Sequence, residues 1–162
     1  MSGVATVLKN RSIKNVLSAL LVAVGGFIFL NITFLLDFLF QSVLRRVVMI
    51  ISPEKGSPPG WFPPVNHVLF VLLILLVSWF VFRSRLNVLI KATFAVVPIA
   101  VMLATIGILL NRWPLAIYAV GALFAGAVLF YLYCTKRHWL YFFAVILVAA
   151  AMGIFTLAGG EI

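Results

Sequence analysis

Few side chains in this sequence are able to do chemistry. It has two histidines, His67 and His138, three acidic residues and a single cysteine, Cys134. Asp37 and His67 are the residue types that acid–base catalysis uses, and they are the candidate catalytic residues. Arg45, Arg46 and Arg112 carry guanidinium groups suited to holding a phosphate or carboxylate through charge-assisted hydrogen bonds. Asn31, Gln41, Trp61, Asn66 and Asn111 add neutral donors, acceptors and an aromatic plate. The chemistry this set suggests is head-group recognition, or acid–base work on a lipid head group. The same residues also serve as a solvated interface, with Asp37 as a helix cap, His67 at the start of a span and the arginines on lipid phosphates.

Other chemistries have little support. One cysteine rules out an intrachain disulfide and a cysteine-rich metal site, so it reads as a small apolar residue near a helix end. The two histidines fall at opposite ends of the expected fold, which disfavours a bis-histidine haem and a two-histidine metal site. No HExxH, Walker loop or nucleophile elbow occurs. No cofactor or metal is expected.

The elements that position these residues follow from composition. The chain has 162 residues, 65% hydrophobic and only 9% charged, with mean hydropathy +1.27. Soluble domains are about half apolar and a quarter charged, and a fold of this size leaves too much of its surface exposed to hide the excess. Disorder requires low hydrophobicity. The expected class is an all-α integral membrane protein, a single membrane domain over 1–162. The net charge of +9 is split into short clusters between apolar runs. That pattern points to anionic lipid head groups rather than nucleic acid.

A helix crosses a bilayer in roughly 20 residues, and five stretches qualify: 16–36, 67–82, 88–110, 113–134 and 139–157. The apolar character of the first continues to Ile51, which is too long for one simple crossing. The pattern favours a break at Asp37, followed by an interfacial amphipathic helix over 38–51 with Gln41, Ser42, Arg45 and Arg46 on its polar stripe. The competing arrangement keeps one long helix with Thr33, Asp37, Gln41 and Arg45 stacked at i+4. Five of the seven prolines fall in 52–66, which reads as a stiff loop on the membrane surface anchored by Trp61 and Phe62. Asn31, inside the first span, needs a partner and reads as interhelical glue worth about 0.6–2 kcal/mol. Small-residue pairs should pack the bundle: Gly25 and Gly26, Ala100 with Ala104, Gly121 with Ala125, Ala122 with Gly126, and Ala149 with Gly153. One of these faces would also suit a homodimer or a partner membrane subunit.

With the N-terminus cytoplasmic, Lys9, Arg11, Lys14, Arg83, Arg85, Lys91, Lys136 and Arg137 lie inside, and Arg45, Arg46, Lys55 and Arg112 outside. This imbalance fits a multi-pass protein of a plasma or inner membrane with its C-terminus outside.

The segment Pro58-Pro59-Gly60-Trp61-Phe62-Pro63-Pro64 is similar to the loop entering the second helix of the five-helix tryptophan-rich sensory (translocator) proteins. The resemblance covers these seven residues, and the aromatic positions expected after it are Asn66 and His67 here, so no ligand site is carried over. Size and span pattern also resemble a small membrane subunit of a tripartite carrier. The expected function is binding of lipid or an apolar ligand, or service as a small subunit of a transport complex, without catalysis. A lipid-modifying enzyme around Asp37 and His67 is the alternative, and a small pore or exporter is a third, although no charged ring is present. The orientation is open to a direct test. In a Cys134→Ser background, cysteine at Ser57 should react with a membrane-impermeant maleimide on intact cells, and cysteine at Ser84 only after permeabilisation. The opposite pattern reverses the topology.

Overall fold

A computed structural model describes residues 2–51 and 62–157, with side-chain environments for 12–51 and 62–156. Five helices follow one another: α1 (Ser2–Ile51), α2 (Phe62–Arg83), α3 (Val88–Leu109), α4 (Pro114–Cys134) and α5 (Trp139–Leu157). Each contains a stretch long and apolar enough to cross a membrane. Helices are what such a sequence must form there, since hydrocarbon offers no partner for backbone N–H and C=O groups.

The hydroxyl side chains obey the same constraint. Thr33, Ser42, Ser78, Thr93, Thr105 and Thr156 each donate to the carbonyl four residues back in their own helix, at 2.6–2.9 Å. Helix ends are closed locally. Asn87 caps α3 by accepting from the Leu89 N–H at 3.4 Å, and the Lys91 ammonium donates to the Phe82 carbonyl at the end of α2 at 2.8 Å. A cation there is favoured by the negative end of the helix dipole.

α3 is the centre of the bundle and touches all four other helices, most extensively α1 and α5. Its Ala92, Val96 and Val97 are almost fully buried, as are Val22 on α1 and Ala144 and Val145 on α5. α1 and α3 run parallel and meet most closely at two glycines. A Cβ on Gly25 would lie 2.7 Å from Cγ2 of Thr93, and one on Gly26 would lie 2.7 Å from Cγ2 of Val96. Glycine is therefore a requirement of this contact. The expected small-residue packing of α4 and α5 is looser. Nothing lies within 4 Å of a Cβ built on Gly126 or Gly153, one on Gly121 would only just touch Cδ2 of Leu103 at 3.6 Å, and an apolar slot of about 210 Å³ lined by Leu103, Gly121 and Gly153 lies between α3, α4 and α5.

Two sequence expectations are corrected. No separate interfacial helix exists over 38–51: α1 is continuous for 50 residues, about 75 Å at 1.5 Å per residue. The reason is visible in the chain. Between Gly26 and Ile51 there is neither glycine nor proline, the usual causes of a break, and the polar residues are satisfied along the helix. The Gln41 amide donates to Asp37 Oδ2 at 2.9 Å, one turn apart. Asp37 is thus mid-helix and not an N-cap. The loop expected over 52–66 is also shorter, because α2 begins at Phe62. Pro63 and Pro64 sit in its first turn, where a missing N–H costs nothing. Residues 52–61, with Trp61, lie outside the described part. The limits of the last three spans agree to within about one residue, whereas α1 and α2 begin earlier than expected, at Ser2 and Phe62.

The glycine contact gives a clear expectation. Gly26→Ala should destabilise the purified protein by about 1–3 kcal/mol through overpacking, while Gly126→Ala should change stability by less than about 0.5 kcal/mol. Thermal unfolding in detergent measures both. Equal effects would show that α1 and α3 have room to separate.

Candidate functional site: a cleft between α1, α2 and α3

The register set by Gly25 and Gly26 carries α1 alongside α3 to its C-terminal end. There the last turn of α3 meets the first turns of α2 and the stretch of α1 around Gln41. The three helices enclose a cleft of about 690 Å³. Its polar lining consists of Gln41, Ser42 and Arg45 from α1, Asn66 and His67 from α2, and Thr105 from α3, with Phe38, Phe62, Ile108 and Leu109 among its apolar walls.

His67 is held by a hydrogen bond between Nε2 and the Thr105 hydroxyl oxygen at 3.1 Å. The Thr105 O–H is already committed to the Val101 carbonyl at 2.7 Å. A hydroxyl has one proton to give, so Thr105 accepts from His67 and the imidazole carries its proton on Nε2. In the neutral ring Nδ1 is then an acceptor without a partner among the described residues. Asn66 is 4% exposed, and its Oδ1 is buried without a hydrogen-bond partner among the described residues. Burying such an acceptor unsatisfied costs about 1–3 kcal/mol. Arg45 is exposed at the rim and makes no ion pair among the described residues.

The residues singled out from the sequence divide clearly. Gln41, Arg45, Asn66 and His67 converge on the cleft. Arg46, Asn111 and Arg112 are exposed and lie outside its lining. Asp37 and His67 do not form a pair. Asp37 Oδ2 accepts from Gln41, its Oδ1 is buried without a partner among the described residues, and His67 bonds to Thr105 instead. Asp37 is also deeper than the rim, eight residues or about 12 Å along α1 from Arg45. Asn31 is not interhelical glue: it is exposed, and its amide donates to the Phe27 carbonyl of its own helix at 2.7 Å. Thr105 was missed by sequence reasoning. The available signal was that it is the one hydroxyl in the apolar second half of α3, at the same expected depth as His67.

No known family's sequence pattern matches the chain, and no curated protein or solved structure is significantly similar to it. The likeness of the proline-rich segment to translocator proteins therefore remains confined to its seven residues.

The hydrogen-bond logic at His67 is directly measurable. Nitrogen-15 NMR of the imidazole at neutral or mildly alkaline pH should report the Nε2-protonated tautomer, and Thr105→Val should abolish that bias with a loss of about 1 kcal/mol in stability. A ring protonated on Nδ1 would mean that Thr105 donates and Val101 is not its acceptor.

Proposed function

We propose that this is a multi-pass membrane protein, with its N-terminus cytoplasmic and its C-terminus outside, that binds the head group of an anionic lipid in the cleft between α1, α2 and α3. The membrane location is supported by five apolar helices and by the many large apolar side chains left exposed along them, among them Phe27, Phe34, Leu72, Leu76, Leu123 and Ile154. A soluble monomer rarely exposes apolar patches on this scale. The excess of Lys and Arg on the side where α3 and α5 begin supports the orientation.

The observation that carries the ligand reading is the composition of the cleft. Arg45 supplies a cation without a carboxylate partner among the described residues, His67 Nδ1 and the Asn66 side chain supply acceptors, and Phe38, Phe62, Ile108 and Leu109 supply apolar walls. A lipid with an anionic phosphate and a hydroxyl-bearing head group matches all three features. Binding is favoured over catalysis because the acid–base pair that catalysis would need is separated: Asp37 is engaged by Gln41 and His67 by Thr105.

The test uses the full chain purified in a neutral detergent, with phosphatidylglycerol added and bound lipid counted by native mass spectrometry. Wild type should retain it in preference to phosphatidylcholine. Arg45→Gln should lower its occupancy about tenfold, since a hydrogen bond to a charged group contributes about 1.5–3 kcal/mol. Arg46→Gln, one residue away and outside the cleft, should have little effect. Equal losses in the two variants would reduce the interaction to diffuse surface charge.

A further inference from the structure

At the opposite end of the bundle, α4 closes with a turn that carries a cation back against its own last residues. The Arg137 N–H donates to the Leu132 carbonyl at 3.0 Å and the Lys136 N–H to the Tyr133 carbonyl at 3.1 Å. Lys136 adopts φ 49°. This is the Schellman pattern, in which the residue after the left-handed position folds onto the third residue from the helix end. Glycine is usual at that position, so a lysine there adds backbone strain to the turn that carries Arg137.

Arg137 and Leu132 together form part of a slot of about 240 Å³ between α3, α4 and α5. Ala95 and Pro98 on α3 are small, and the space they leave opposite Val128 and Val145 is the apolar length of the slot. Tyr141, from the first turn of α5, also lines it. This tyrosine is 8% exposed, and its hydroxyl has no hydrogen-bond partner among the described residues. Arg137 is itself without an ion-pair partner among the described residues. The slot therefore has an exposed guanidinium and a phenol, neither partnered among the described residues, beside an apolar channel.

We propose that this slot binds a single-chain anionic amphiphile, with its carboxylate or phosphate between Arg137 and Tyr141 and its alkyl chain along Ala95, Pro98, Val128 and Val145. Arg137 supplies two parallel N–H donors to the anion. Tyr141 donates one further hydrogen bond, and the narrow slot selects one chain over the two of a diacyl lipid. This site is separate from the cleft lined by Arg45 and stands without it.

The full chain in a neutral detergent, titrated separately with dodecanoate, dodecyl phosphate and dodecanol and read by native mass spectrometry, tests the proposal. At least one anion should form a one-to-one adduct, and dodecanol should not. Arg137→Gln should lower the occupancy by about tenfold, and Tyr141→Phe, which keeps the ring and its packing, should lower it several-fold with unchanged helix content. Arg83→Gln, at the same end of the bundle but stacked on Trp79 at 5.2 Å, should leave it unaltered. Adduct formation with dodecanoate alone identifies a free fatty acid as the ligand class, and with dodecyl phosphate alone a lysophospholipid. Equal binding of dodecanol, equal losses in Arg137→Gln and Arg83→Gln, or no adduct with either anion overturns the proposal.

Discussion

The approach of α1 to α3 at Gly25 and Gly26 is the contact on which the rest of the molecule depends. Were these five apolar helices set in a bilayer, they would gain little from hiding apolar surface, and close packing would have to hold them together. Two adjacent glycines, each with a buried side chain where its Cβ would stand, bring the two backbones nearer than any side chain would allow. Polar groups contribute little alternative attachment. The hydroxyls are spent inside their own helices, and the His67–Thr105 bond links two helices at one end only.

That contact also builds the cleft. Once Gly25 is set against Thr93, a rigid helix without glycine or proline delivers Gln41 and Arg45 to the end of α3 some thirty Å away. The i+4 bond from Gln41 to Asp37 lies on this same path and helps to keep the polar stripe helical. α2 needs no such length. Its prolines start it at Phe62, and His67 falls within reach of Thr105 five residues later. The polar lining of the cleft is thus assembled by three helices that share one end, although its residues are spread over more than sixty positions of the chain.

Much of this was legible in the sequence. Hydropathy and length located the five apolar helices, because each stretch has to match one bilayer thickness. The convergence of Gln41, Arg45, Asn66 and His67 at one end followed from simple alternation of direction between successive spans. The path of α1 beyond Asp37 was not legible. An amphipathic stripe looks the same on a helix lying flat and on one continuing straight, and the absence of glycine and proline between Gly26 and Ile51 leaves no residue that would break the helix. The separation of Asp37 from His67 was equally hidden, since both belong to one end and only the angular position of Asp37 on α1 directs it to Gln41. For Asn31 the error was in the partner: its own backbone was nearer than any other helix.

The loose seat of α4 has a mechanical meaning. α1 packs on α3 through Gly25 and Gly26, and α5 packs on it through the buried Ala144 and Val145, whereas slots of about 210 and 240 Å³ lie where α4 meets α3 and α5. Pressure does its work on internal void volume. Closing these two slots would therefore move α4 against a pair of helices that already touch.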